Sequence, residues 1–147
     1  MPTDVVGELL RIALRRAEMV QRDAPEILAC ARAGKNEYGH FGNYGFLQSA
    51  YFLGYLFTFK HPQNSLHGKA WCAELATAFT DFLPKYLRAC RAKGEKEVTA
   101  EWSPLGTVEL LDLLKPEGTR KADWLEFVER YVEFARERPF GFTSPNH

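Results

Sequence analysis

The chain has 147 residues, enough for one domain that buries about 70% of its unfolded surface and too few for a second complete one. Lys plus Arg equal Asp plus Glu at 19 each, so no net field draws the chain to nucleic acid or an acidic membrane. The aromatic share of 14% is high and crowds the stretch from Tyr38 to Phe59, which implies a large core or a stacking surface.

Asp4 to Gln21 reads as an amphipathic helix. Val5, Leu9, Ile12, Leu14, Ala17 and Val20 recur at spacings of three and four, Thr3 stands at the N-cap, and Arg11, Arg15 and Arg16 form a solvated face. A second short helix is expected from Pro25 to about Ala33, with Pro in the first turn and Gly34 as the C-terminal cap. Lys35 to Asn43, rich in Gly, Asn and His, reads as a turn region. The run from Tyr44 to Phe57 is apolar on nearly every side, the pattern of a helix surrounded by others.

His61-Pro62-Gln63-Asn64-Ser65 breaks that run, and a helix follows from His67 to Lys93, closed by Gly94. Pro84 should kink or split it, because the ring removes a backbone donor and clashes with the preceding turn. Ser103-Pro104 marks another start, as N-cap and first helical residue, and Leu105, Val108, Leu111, Leu113 and Leu114 carry that helix to Lys115-Pro116. The last helix, from about Arg120 to Arg138, aligns Trp124, Phe127, Val128, Tyr131, Phe134 and Ala135 on one face before Pro139. No segment alternates with period two over a useful length, so the fold class is all-α: five or six helices in antiparallel pairs within a single domain, 1–147.

Cys30, Cys72 and Cys90 are odd in number and lack C-x-x-C spacing, so they read as small buried thiols rather than disulfide or zinc ligands. His40, His61, His67 and His147 fall in or near loops without metal-ligand spacing. The chain also lacks a nucleophile elbow, a phosphate-cradling loop and a dinucleotide fingerprint, and no cofactor is implied; Gly39, Gly42 and Gly45 read as turn residues. No basic start and apolar core mark a secretory signal, and no apolar stretch reaches bilayer length. As written the chain reads as cytoplasmic, or as periplasmic or secreted where a leader has been removed.

Asn43, Tyr44, Gln48, Asn64, His67, Glu101 and Trp102 lie at helix ends or in joining loops, as do Asn146 and His147. If helix pairs wind round a common axis, loops at one end converge on a cleft lined by amides, imidazoles and aromatic rings. Such a lining suits sugars, since aromatic faces pack on their C–H surfaces and amides bond their hydroxyls. Taken singly, Tyr44 and Tyr51 fit a core equally well, and Asn43 or Ser103 a helix cap.

Asn43-Tyr44-Gly45-Phe46-Leu47-Gln48-Ser49-Ala50-Tyr51-Phe52-Leu53 is followed in order by His61-Pro62-Gln63-Asn64-Ser65-Leu66-His67-Gly68, Glu101-Trp102-Ser103-Pro104 and Gly141-Phe142-Thr143-Ser144-Pro145-Asn146-His147. This succession resembles the N-terminal helical region of heparinase II/III-like and alginate-lyase-like polysaccharide lyases. The resemblance implies part of an incomplete (α/α) toroid, with β-sandwich domains beyond it, and cleavage of uronate-containing polysaccharides by β-elimination. It further implies that Asn146 and His147 neutralise the substrate carboxylate, and that an acidic polysaccharide or oligosaccharide is the partner, with neither nucleic acid nor membrane.

The later catalytic residue and β-rich segments have no counterpart here, so the chain alone is expected to be inactive. An unfinished toroid leaves an apolar face uncovered, which favours self-association. Two other readings stand beside this one: a non-catalytic helical repeat module that binds protein or glycan, and a glycoside hydrolase on the same toroid, for which Glu101 is available.

Overall fold

A computed structural model describes residues 4–32, 42–94 and 102–137 of the chain. Among them run five helices and no strand: α1 (Val5–Arg32), α2 (Gly42–Thr58), α3 (Ala70–Ala92), α4 (Trp102–Leu114) and α5 (Gly118–Glu137). The all-α expectation therefore holds. None of these helices is long and apolar enough to cross a membrane.

α1 is one helix where two were expected. Its start is capped by Asp4, whose Oδ1 accepts the Gly7 amide at 2.9 Å; the expected cap Thr3 lies outside the described residues. Pro25 does not restart the helix. It is exposed, as is Gln21, whose carbonyl loses its helical partner to the proline, so water reaches that oxygen and the break costs less than in a core.

The buried stripe keeps Ala17 and Val20 of the expected one, with Leu14 packed against the core, but turns away from Val5, Leu9 and Ile12. Leu10, Ala17, Val20, Ala24 and Ile27 face the core, whereas Val5, Leu9 and Ile12 are 59%, 62% and 56% exposed. Both stripes have helical period, each residue turning the axis by about 100°. The stripe with Ala17 and Ala24 lets a neighbouring helix come close, and packing selects it.

α2 begins at Gly42, so Gly42 and Gly45 are helical rather than turn residues. α3 is continuous through Pro84, which does not split it. Four residues earlier, buried Thr80 donates its Oγ1 hydrogen to the Ala76 carbonyl at 2.8 Å. Gly94 closes α3 with φ 67°, its amide bonding the Arg91 carbonyl at 3.0 Å. α4 is closed by Lys115, the residue after its end, held at φ 46° with its amide on the Leu111 carbonyl at 3.2 Å, and Pro116 prevents continuation.

Contact register fixes the helix directions. On α2 and α4, Tyr51 lies against Gly106, Gly54 against Leu110 and Leu113, and Tyr55 against Glu109, so these two helices run the same way. On α3 and α5, Asp81 meets Arg120 and Trp124 while Arg88 meets Asp123 and Glu126, so they too are parallel. α1 runs opposite to α2: Asp4 reaches Gln63, just past the end of α2, while Arg16 lies over the Phe52 ring, 5.7 Å from its centroid. Thus α1, α3 and α5 share one direction and α2 and α4 the other, as two stacked helical hairpins with α1 alongside. α3 touches all four other helices.

The main core joins Val20 and Ile27 of α1, Leu53 and Leu56 of α2, Phe79 of α3, Leu110 of α4 and Trp124 of α5. Trp124 is fully buried and donates Nε1–H to Asp81 at 2.8 Å, which satisfies its one polar group while its ring fills the α3–α5 seam. A smaller cluster of Leu83, Phe127 and Val128 extends that seam. Close approach of α2 and α4 depends on Gly54, where an added Cβ would run into the Leu110 side chain. Cys72 is buried, as expected, and burial pushes its thiol up to about 11.

Candidate functional site

The helix directions divide the molecule into two ends. At one, α2 and α4 begin and α1, α3 and α5 finish. At the other lie the links 59–69 and 115–117. With 17 residues in α2, the two ends stand roughly 25 Å apart.

This division sorts the residues named from sequence. Asn43 and Tyr44 occupy the first turn of α2, Gln48 the second, and Trp102 opens α4, so these backbone positions share the entry end. Glu101 immediately precedes α4, and Asn146 and His147 follow α5, whose last turn is also at this end; all three lie outside the described residues. Asn64 and His67 belong to the 59–69 link, so the structure places them at the opposite end, apart from the other candidates.

Asn64 has a different task. It is only 7% exposed, and Nδ2 donates to the Leu56 carbonyl at 2.8 Å and the Phe59 carbonyl at 2.7 Å. Its Oδ1 accepts the Leu66 amide at 3.0 Å. Both amide hydrogens are committed to the main chain, so the side chain ties off the end of α2 and shapes the link to α3. Gly68, at φ 71°, completes the turn by donating its amide to the Phe57 carbonyl at 2.9 Å. His67 is exposed on this link; His61 stacks on Phe59 with centroids 5.7 Å apart and accepts the Gln63 amide on Nδ1.

A shallow groove of about 520 Å³ also lies at the link end, lined by Asp4, Gly7, Glu8, Arg11, Leu14 and Gln63. Its polar groups already serve one another. Asp4 accepts from Gly7 and Gln63, and Glu8 pairs with Arg11. The groove therefore presents no converging set of unused donors or acceptors.

A third group joins Tyr51, which the sequence fits to a core as well as to a cleft, to Tyr55 and Glu109, which the sequence did not single out. Positions 51 and 55 stand one turn apart along the side of α2 opposite its buried Ser49, Leu53 and Leu56. On that side the Tyr51 and Tyr55 rings meet edge to face, with centroids 4.7 Å apart and planes at 74°. The Tyr55 hydroxyl reaches Glu109 Oε2 of α4 at 3.4 Å. Hydrogen bonding to Tyr55, then burial and the negative charges nearby, push the Tyr51 phenol up to about 12. The i, i+4 spacing of Tyr51 and Tyr55 carried this signal, but both fall in a run whose apolar residues on nearly every side read as a helix surrounded by others.

Electrostatics elsewhere join α3 to α5. Arg88 bridges Asp123 and Glu126, and Arg120 binds Asp81 through Nε at 3.1 Å. The Arg88 guanidinium, with further help from its charge and that of Arg91, holds the Glu126 carboxyl below the usual range. These exposed pairs set register rather than chemistry. Compared with protein-family models, curated proteins and solved structures, the chain matches none.

Proposed function

We propose that this chain is the N-terminal helical part of a polysaccharide lyase-like protein that acts on uronate-containing glycans by β-elimination, its hairpins forming part of an (α/α) toroid. The observation that carries the reading is the register of the helices. Alternating layers, parallel within a layer and antiparallel between layers, suit a toroid, and they bring Asn43, Tyr44, Gln48 and Trp102 to the end at which α5 leaves toward Asn146 and His147. The ordered sequence motifs supply the chemistry of that end.

In such a reaction a base removes the proton from C5 of the uronate, the electron pair forms the C4–C5 double bond, and the C4–O bond breaks as an acid protonates the leaving oxygen. Asn146 and His147 serve the carboxylate. Their hydrogen bonds strengthen as negative charge spreads into the enolate-like transition state, which lowers the barrier rather than only tightening binding. The resemblance assigns neither the base nor the acid to a residue of this chain.

The test is ultraviolet detection of unsaturated uronate products from the full-length protein that carries this chain. Asn146→Ala and His147→Ala should each lower kcat by about 100-fold or more. Unchanged turnover in both variants removes those roles, and absence of product from every uronate polymer removes the lyase reading. Self-association belongs to the same proposal, supported by exposed Val5, Leu9 and Ile12 on α1. Sedimentation that stays monomeric at rising concentration would remove it.

A second reading, a non-catalytic helical repeat module, is favoured by the same parallel stacking of hairpins, which builds extended binding surfaces. It is distinguished by protein capture without any unsaturated product.

A further inference from the structure

We propose that Tyr51, Tyr55 and Glu109 form a subsite for an uncharged, hydroxyl-rich sugar unit on the α2–α4 face, set back from the entry end. The inference rests on the glycan reading and names a unit of the polymer that is not the reacting uronate. Three observations combine.

Tyr51 and Tyr55 stand one turn apart and meet at 74°, so the pair offers a flat ring face beside a ring edge, and Tyr55 remains 39% exposed. Such a face suits the C–H side of a pyranose. Glu109 is exposed, and its described partner is the Tyr55 hydroxyl at 3.4 Å, which leaves the carboxylate with acceptor capacity for sugar hydroxyls. No cation among the described residues pairs with Glu109, so the uncompensated charge repels a uronate carboxylate while accepting neutral hydroxyls.

The geometry also decides between two ligand classes. An ammonium cage needs aromatic walls that stand apart around the cation. Here the ring centroids are 4.7 Å apart in direct contact, with no gap between them, so stacking on the outer face is the available mode. Position matters as well: Tyr51 lies eight residues along α2 from Asn43, about 12 Å by helical rise, so a unit held here is separated along the polymer from the one at the entry end.

The experiment titrates the full-length protein calorimetrically with a β-linked glucose oligosaccharide and with a mannuronate oligosaccharide, and follows unsaturated product in parallel. Tyr55→Ala is expected to weaken the glucose oligosaccharide about tenfold. Tyr55→Phe, which keeps the ring and preserves the fold if alanine does not, should weaken it by a smaller factor. Glu109→Gln should weaken the glucose oligosaccharide and tighten the mannuronate oligosaccharide. Glucose-oligosaccharide affinity unchanged in all three variants, or tetramethylammonium bound in its place, overturns the subsite. Lyase product formed by a protein that does not bind the neutral oligosaccharide overturns the subsite and leaves the lyase reading standing. Neutral binding that is sensitive to Tyr55, without product from any uronate polymer, does the reverse.

Discussion

Replacing Asn64 separates a structural role from a ligand role. The side chain makes three hydrogen bonds to main-chain groups, at 2.8, 2.7 and 3.0 Å, and is 7% exposed. Each such bond contributes about 1 kcal/mol net, so Asn64→Ala should cost about 3 kcal/mol, leaving main-chain groups at the end of α2 without their partner. For a chain of this size that is a fall of roughly 10 °C in Tm. Asn64→Asp keeps the acceptor for Leu66 but sets a carboxylate against the Leu56 and Phe59 carbonyls, so at neutral pH it should be no better than alanine. Thermal and urea melts measure both. An Asn64→Ala protein that melts within about 2 °C of the parent, while losing glycan affinity, would return Asn64 to the binding site and refute the assignment.

Gly54→Ala should destabilise by about 1–3 kcal/mol in a urea titration, because the new Cβ meets the Leu110 side chain. Gly106→Ala meets only Tyr51 at 3.9 Å and should instead stabilise by about 0.5–1 kcal/mol through helix propensity; equal effects at the two glycines would contradict the packing. Lys115→Gly should raise Tm by about 3 °C by removing the strain of a left-handed lysine at φ 46°, and a fall would show that the lysine side chain matters more than its backbone. Glu126 has a carboxyl depressed by Arg88, so its contribution is present above the ordinary value of 4.5 and is lost as pH falls through the folded one. Glu126→Gln should therefore flatten the acid limb of stability measured between pH about 6 and about 3, and an unchanged limb would mean that solvent screens the pair completely.

Helix existence was legible because Gly and Pro punctuate the chain and apolar residues recur at helical spacing. α2, α3, α4 and α5 lie within a few residues of their expected spans, and Gly94 closes α3 as its position implied. Periodicity could not choose between the two stripes of α1, since Val5, Leu9 and Ile12 repeat as regularly as Leu10, Ala17 and Ala24. Only contact with the neighbouring helices makes small residues the buried ones. Pro25 misled for a related reason: a proline breaks a helix where its missing donor is costly, and exposure at that turn is a tertiary fact. Asn64 resembles any loop amide in sequence, and its value as a cap for α2 exists only once the 59–69 link folds back.

The two ends of the helical layers also differ in how the chain connects them, and this bears on where function can reside. The link end fixes its residues closely, through Asn64, Gly68 and the left-handed Lys115 and Gly118. At the entry end the chain passes from α1 to α2 through residues 33–41 and from α3 to α4 through residues 93–101, against 59–69 and 115–117 at the opposite end. Binding groups concentrate on loops of a rigid helical scaffold, but Asn64 and Gly68 commit the 59–69 link to main-chain hydrogen bonds, so its conformation serves the fold. Substitutions should therefore segregate by end. Alanine at Asn64 should lower Tm and spare ligand affinity in the protein that remains folded, whereas alanine at Asn43, Tyr44 or Trp102 should lower affinity with a smaller change in Tm. A scan in which affinity losses fall instead on the 59–69 link would place the site at the wrong end of the molecule and overturn both the entry-end assignment and the glycan reading built on it.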